Sequence, residues 1–323
     1  MNVGAASASR PKVSVLVPSL NQDRFLVKAL ATVAKQEYAP LEVIIGDGGS
    51  TDHTRRVVES YGPLVTRFIS GPDRGQLDGL EKAIGAATGD IFYWMNADDA
   101  LMPGALSFVA DTFSSDPALE VIFSDSYAFD EERKSVFASN HVSNLGFWPH
   151  FLYYRQLPSE GVFWRASITQ QVFPLDHSLR ICTDYSFFLA LRYGHRCRWV
   201  PRRLGLFRIQ AAQASQRYRD RIEEERRSIR QRMCQRVGIT QKQFERLQRL
   251  WRPWYALTQR VYPRVYVAAR YLRRKLTGDR ERRRIEQFLF GQWLRPPDDV
   301  LRRLGTELCE QWGLDCPRAA DES

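Results

Sequence analysis

The first half of the chain alternates short, nearly continuous apolar runs with stretches in which apolar residues recur every three or four positions. Val13 to Val17 (VSVLV) is a run of the kind buried in parallel sheets and predicts a strand. Asn21 or Asp23 can cap the following helix, whose Leu26, Leu30 and Val33 share a face, and Leu41 to Ile45 predicts the second strand. Ser50 can cap a helix carrying Val57, Val58 and Tyr61, and Val65 to Ile69 reads as the next strand. A helix from about Gln76 to Ala87 turns Leu77, Leu80, Ile84 and Ala87 inward. Ile91 to Met95 is a further strand, Pro103 suits the first turn of a helix with Leu106, Val109 and Phe113 on its buried side, and Val121 to Ser124 follows as a strand. This alternation predicts an α/β fold with a mostly parallel central sheet, helices on both faces and ligands at the carboxyl ends of the strands. Polar clusters stand at those ends: Pro18-Ser19-Leu20-Asn21, Asp47 to Asp52, Gly71 to Gly75, and Asn96-Ala97-Asp98-Asp99.

Beyond about Gln213 the pattern becomes Arg-rich and helical, as in Arg219 to Arg236, where Ile222, Ile229 and Met233 form a thin apolar stripe. Pro253, Pro263 and the Pro296-Pro297 pair divide this region, and Trp251, Trp254, Tyr255, Tyr262, Tyr266 and Tyr271 crowd among arginines. The chain therefore divides into a flexible N-terminus over 1–11, an α/β domain over 12–212 and a basic, aromatic-rich helical region over 213–323. With 323 residues, 44% of them hydrophobic, it can bury a sizeable core. The net charge of +10 conceals an asymmetry: 32 Lys or Arg face 15 Asp or Glu from Arg192 onward, against 15 and 22 before it. An acidic half is thus joined to a basic half suited to an anionic partner. Cys182, Cys197, Cys234, Cys309 and Cys316 are odd in number and scattered, which suits reduced thiols in a cytoplasmic setting better than a disulfide framework or zinc site. Met1 to Lys12 lacks the apolar core of a signal peptide, and no apolar run approaches the roughly 20 residues of a membrane-spanning helix.

Asp98 and Asp99, adjacent after an apolar strand, are costly to hold together unless a cation or hydrogen bonds compensate them. Hard oxygen ligands suit Mg2+ or Mn2+, with substrate phosphates completing the shell, although a solvated turn or a cap for the helix near Pro103 would use the same residue types. Asp47, in a Gly-rich turn after a strand, can approach a nucleotide closely or can simply close its turn.

Taken together, VSVLVPSLNQ, EVIIGDGGSTD and ISGPDRGQLDGLEKAIGAATGDIFYWMNADDALMPGAL resemble the family-two group of inverting glycosyltransferases, which have the glycosyltransferase A-type fold. The resemblance covers roughly residues 12–212 and makes that domain catalytic. It implies that Pro18, Ser19 and Asn21 line the nucleoside pocket, that Asp47 bonds the base, and that Asp73, Arg74, Gln76 and Asp78 lie near base, ribose or phosphates. Asn96-Ala97-Asp98 takes the place of the family's Asp-x-Asp motif, so Asp98 would ligate Mg2+ or Mn2+ with Asp99 beside it. Two departures stand out here, Asn96 for the first aspartate and Glu81 where relatives often carry Asn. The segment Leu157 to Arg165 resembles one lining the acceptor side, which brings in Glu160 and Trp164, and Cys182-Thr183-Asp184-Tyr185 resembles the motif whose aspartate is the general base. Asp184 is the expected base, with Asp125 and Glu160 in reserve, and it can also cap the helix Tyr185 to Leu191. Arg208 falls where relatives show an Arg followed by a His that helps hold phosphate or metal, and Gln210 replaces that His.

The resemblance implies a nucleotide-diphosphate sugar donor, most often UDP-linked, and a glycan or lipid-linked acceptor in surface polysaccharide or lipopolysaccharide synthesis. The basic aromatic region suits an anionic membrane surface, which would make the chain cytoplasmic and peripheral, and it equally suits packing on the catalytic core or a second subunit as a homodimer. No nucleic-acid motif accompanies the charge. A nucleotidyltransferase would need a Gly-rich, basic triphosphate loop that Val13 to Asn21 does not offer, and a catalytically inactive scaffold of the same fold is the remaining alternative.

Overall fold

The computed structural model describes residues 10–139, 146–210, 213, 218–257 and 293–315. Strand β1 (Val13–Ser19) is followed by α1 (Asp23–Ala34), β2 (Leu41–Asp47), α2 (Thr54–Tyr61), β3 (Val65–Ser70), α3 (Gln76–Ala86) and β4 (Ile91–Trp94). After a two-residue β5 (Ala100–Leu101) come α4 (Ala105–Ser115), β6 (Val121–Ser124), β7 (Ser126–Asp130), β8 (Ser135–Ser139), α5 (Phe147–Tyr153) and β9 (Val162–Arg165). Then follow α6 (Thr183–Arg192), β10 (Cys197–Val200), β11 (Gly205–Ile209) and α7 (Ile222–Val237). A helix over 241–257 and the short helices Asp298–Leu304 and Thr306–Gln311 complete the described chain.

A seven-stranded sheet in the order β10-β6-β9-β4-β1-β2-β3 forms the centre. Every pairing in it is parallel except those of β9, which runs antiparallel between β4 and β6. A smaller sheet in the order β5-β11-β7-β8 lies beside it. Side chains alternate across the main sheet as the two-residue period requires. Val13, Val15 and Val17 pack with Leu26, Leu30 and the helices α1, α2 and α4, while Leu16, Trp94 and Trp164 pack with Leu80 and Phe187 on the opposite face. Trp164 was expected to line the acceptor side, but it is fully buried, donates through Nε1 to Thr169 Oγ1 at 2.9 Å and meets Phe92 and Phe187 edge-on. On a strand inserted between two others in a sheet covered on both faces, successive side chains enter opposite cores.

Several helix starts also differ from expectation. Neither Asn21 nor Asp23 caps α1. Asn21 Oδ1 accepts from Thr51 N at 2.9 Å, and Asp23 Oδ2 accepts from His53 N at 3.0 Å, so both residues clasp the loop after β2 instead. Helix α2 begins at Thr54, whose N–H goes to Asp52 Oδ1, while Ser50 is turned back toward Asp47. Pro103 lies outside α4, ahead of the left-handed Gly104. Asp184 sits within the first turn of α6, which starts at Thr183.

The described segments after 212 pack into the cores of the α/β half. Ile229, Met233, Cys234 and Phe244 are buried with Phe151, Leu152, Tyr185 and Leu189, so α7 and helix 241–257 share a core with α5 and α6. Val300, Leu301, Leu304, Leu308 and Cys309 join the core of α1 and α2, and Arg303 Nε donates to the Ser60 carbonyl at 2.5 Å. Cys182, Cys197, Cys234 and Cys309 are free thiols, as their scatter suggested. Tyr262, Pro263, Tyr266, Tyr271 and Cys316 lie outside the described residues. Among the described residues no helix is long and apolar enough to cross a membrane.

Helix α3 crosses β1 and β2 at one close point. A Cβ on Gly46 would stand 1.9 Å from the Gly79 carbonyl oxygen, and one on Gly79 would stand 2.8 Å from the Gly46 carbonyl oxygen and 3.2 Å from Pro18 Cβ. Backbone cannot yield like a side-chain tip, so Gly46→Ala must push α3 off the sheet. The expected cost is about 1–3 kcal/mol or more, read as a lowered urea midpoint at unchanged m-value.

Candidate active site

The loops at the carboxyl ends of the strands are held by charged groups used as ties. Asp47 is buried, and its carboxylate accepts from Gly49 N (3.1 Å), Ser50 N (2.9 Å), Ser50 Oγ (2.5 Å) and Ser70 Oγ (2.6 Å). These bonds hold its pKa below the usual carboxylate range against the opposing effect of burial, and they build the Asp47 carboxylate into its own turn. Lys82 Nζ donates to the carbonyls of Asp47 (3.0 Å) and Gly71 (2.7 Å) and lies 3.4 Å from Asp73 Oδ2, joining the loops after β2 and β3. Asp73 Oδ1 in turn accepts from Gly75 N at 3.0 Å. Pro18 is buried against Gly79, while the buried Ser19 Oγ has no partner among the described residues. Asn21, at φ 51°, closes this side through Thr51.

The loop after β3 is tied to the segment that leads into α6. Arg74 grips Asp78 with Nε (2.9 Å) and Nη2 (2.8 Å), Arg180 Nη1 donates to the Arg74 carbonyl at 3.0 Å, and His177 lies between Asp78 (2.9 Å) and Glu81 (3.2 Å). Glu81, a departure noted in the sequence, is therefore a partner of His177. Asp78, Glu81 and His177 together have the spacing to hold a metal ion. However, the two carboxylates take opposite nitrogens of one ring and Arg74 already neutralises Asp78, so these groups are matched to each other.

Gln76 makes the connection on which the site turns. Its Nε2 donates to Asn96 Oδ1 at 2.9 Å, and its Oε1 accepts from Thr183 Oγ1 at 2.8 Å, next to Asp184. Asn96 Nδ2 donates to Asp99 Oδ2 (2.9 Å) and contacts Ser159 Oγ (3.2 Å), one residue before Glu160. Asp99 is buried, and burial raises its pKa well above the ordinary value, with the charges of Asp98 and Glu160 adding to the rise. Asp98 is half-buried and also raised by burial. Gln210 Nε2 donates to its Oδ2 at 2.9 Å, and Arg208 donates from Nε to its backbone carbonyl at 2.9 Å while pairing with Glu131. This oxygen-only donor set, with its nearest cation engaged elsewhere, fits a hard divalent ion such as Mg2+ or Mn2+ on Asp98.

Asp184 and Glu160 form the other end of the site. Asp184 Oδ1 accepts from Tyr185 N (2.7 Å) and Oδ2 from Gln156 Nε2 (2.5 Å), and burial pushes its pKa up to about 6. Glu160 is pushed up to about 7, first by burial and then by the charge of Asp184. Asp125, the other reserve base, is buried at the end of β6. Cys182, Ile181 and Arg180 donate their backbone N–H groups to the carboxylate of Glu225 at 2.9, 3.0 and 2.8 Å, so the turn preceding Asp184 is anchored by α7. That role went unread in the sequence. Its signal was an acidic residue on the Ile222, Ile229, Met233 stripe, where spacing demands an apolar one. A cavity of about 530 Å³ lies along α2 between Asp52, Arg56 and Arg303 and shares no residue with the carboxylate cluster.

The raised pKa of Glu160 has a stability consequence. Between the ordinary glutamate value and about 7 the unfolded chain is ionised while the folded chain keeps its proton, so stability falls as pH rises through that window. In chelator-treated protein, Glu160→Gln is expected to raise stability at pH 8 by about 1–3 kcal/mol and to change it little at pH 5. Paired thermal melts at the two pH values check this.

The fold and several motifs have known counterparts. A TarS fragment (residues 1-349) of S. aureus in complex with UDP superposes with a TM-score of 0.57 at 15% identity, covering 90% of this chain and 80% of that one. A mannosyltransferase of Pyrobaculum calidifontis in complex with GDP-Man and Mn2+ superposes with a TM-score of 0.54 at 16% identity, covering 95% and 89%. At such identity these likenesses establish the fold. In sequence, a Campylobacter jejuni GalNAc(5)-diNAcBac-PP-undecaprenol beta-1,3-glucosyltransferase is 32% identical over 105 residues, 30% of this chain and 33% of that one. The chain spans 66% and 20% of the length of the first two curated relatives it matches. Residues 14–167 match the family described as Glycosyl transferase family 2, and with the strand order and motif placement above this stretch is a family 2 glycosyltransferase domain of the A-type fold.

Proposed function

We propose that this domain transfers a sugar, with inversion, from a nucleotide-diphosphate sugar to a hydroxyl of a glycan or lipid-linked acceptor in surface polysaccharide or lipopolysaccharide synthesis. A UDP-sugar is the donor in this reading. The observation that carries it is the Gln76 bridge, which joins Asn96 at the start of the Asp98 motif to Thr183 beside Asp184 and so makes the donor end and the base one assembly. Solved relatives bound to UDP and to GDP-Man with Mn2+ support a nucleotide at that end, and a curated relative named for an undecaprenol-linked substrate supports the acceptor class. In this reading Ser19 and Asn21, at the end of β1, are donor-side residues.

In this mechanism Asp184 accepts the proton of the acceptor hydroxyl as its oxygen bonds to the anomeric carbon. The bond from that carbon to the diphosphate oxygen breaks on the opposite face, and the nucleoside diphosphate leaves with the electron pair. A pKa near 6 leaves Asp184 mostly ionised at neutral pH yet more basic than an ordinary carboxylate. Gln156 and the Tyr185 N–H fix its direction, and Glu225 fixes the turn that carries it. A divalent ion on Asp98, with Asp99 beside it, supplies positive charge to the departing diphosphate when bound.

Asp184→Asn is expected to lower turnover about 10²–10⁴-fold while UDP still binds, and wild-type kcat/KM is expected to fall as pH drops through about 6, where the base takes up its proton. Undiminished turnover in the variant removes Asp184 from this role. The donor reading is tested by thermal shift with UDP, GDP, dTDP and CMP, each with Mn2+, Mg2+ or chelator. A rise in Tm with UDP that needs the metal is the expected result. Another diphosphate in its place changes the donor, and no shift with any of them leaves an inactive scaffold as the better description.

A further inference from the structure

Three of the large hydrophobic side chains exposed among the described residues lie together: Leu250 at 66%, Trp254 at 41% and Leu257 at 57%. On helix 241–257 they occupy positions i, i+4 and i+7 and therefore form one strip. The opposite face is fully used. Phe244 is buried against Phe151, Tyr153 stacks on Tyr255 at 3.9 Å, Gln248 Nε2 donates to the Leu152 carbonyl, and the Gln248 carbonyl accepts from Tyr153. Lys242, Arg246 and Arg249, all exposed, fall along one flank of the strip by the same helical spacing.

We propose that this face docks in the plane of an anionic lipid surface. An apolar strip with a basic flank is the pattern of an interfacial helix, and an indole at its edge suits headgroup depth. A second copy is the poorer match, because an antiparallel two-fold contact through the strip sets one basic flank against another. The inference goes beyond the sugar-transfer reading and stands without it. It also gives the acceptor end a place, since the helix holds α5, and the chain leaves α5 for Gln156, whose amide bonds Asp184. A lipid-docked chain thereby carries its base on the same rigid block as its docking face.

The test is sedimentation of the full chain with phosphatidylcholine vesicles that contain or lack phosphatidylglycerol. The chain is expected to pellet with the anionic vesicles, more weakly as salt rises, and to stay in solution with phosphatidylcholine alone. Leu250→Glu/Leu257→Glu is expected to lower partitioning at least ~10-fold, and Arg246→Gln/Arg249→Gln about 30-fold on anionic vesicles. Phe137→Glu, which removes an exposed ring elsewhere, is expected to bind as the parent does. Unchanged melting temperatures show that the variants fold, since all these positions are exposed. The proposal is overturned if the parent chain does not pellet, if the Leu250→Glu/Leu257→Glu protein pellets undiminished, or if light scattering finds a dimer that this variant dissociates while vesicles take up neither protein.

Discussion

Asp98, Asp99, Glu160 and Asp184 gather negative charge at the carboxyl end of the sheet in surroundings that raise the pKa of every one of them. Ionised carboxylates withdrawn from water cost far more than hydrogen bonds alone return, and like charges nearby add to the cost. Much of the neighbouring chemistry answers this constraint. Asn96 serves Asp99, Gln210 serves Asp98, Ser159 reaches Glu160 and Gln156 serves Asp184. All of these partners are neutral, while Arg208, the buried cation close by, is directed to Glu131 and to a backbone carbonyl. The site therefore keeps a standing affinity for positive charge, which suits a divalent ion arriving with a diphosphate.

Gln210 gives that affinity a particular character. Its amide occupies a lone pair of Asp98 with a hydrogen bond from a neutral side chain. Asn96 is explained by the same geometry: its amide donates to both Asp99 and Ser159, and a second carboxylate there would only repel the buried Asp99.

The described segments after β11 are packed into the α/β half. Glu225 satisfies three consecutive N–H groups ahead of Asp184, and the core shared by α5, α6, α7 and helix 241–257 fixes the angle from which that turn is held. Farther along, Leu301, Leu304 and Leu308 cover α1 and α2, and Arg56 and Arg303 meet backbone carbonyls across the contact. A boundary at residue 212 marks a change of composition; the hydrophobic cores run through it.

The α/β alternation, the parallel strands and the loops that carry the polar clusters were legible in the chain, because apolar period and turn chemistry are local properties. Asp98 and Asp99 stood out by the same route, as adjacent carboxylates after an apolar strand, whereas Asp184 was singled out through the family resemblance. Distance in sequence hid the rest. Val162–Arg165 resembles any short apolar run until β4 and β6 close on both sides of it, and only then does Trp164 become core. Asp47 reads equally as ligand contact or turn clasp, and the bond from Ser70 on the neighbouring strand is one that no local pattern announces. The tying roles of Gln76, Glu81 and Glu225 could not be read locally, because their partners Thr183, His177 and Cys182 lie far along the chain. The sequence by itself determined which segments become strands and helices and which residue types can bear charge chemistry. Tertiary structure alone decided which carboxylates share a site and which are consumed in holding it, because burial and hydrogen-bond pairing are set by neighbours that no local pattern specifies.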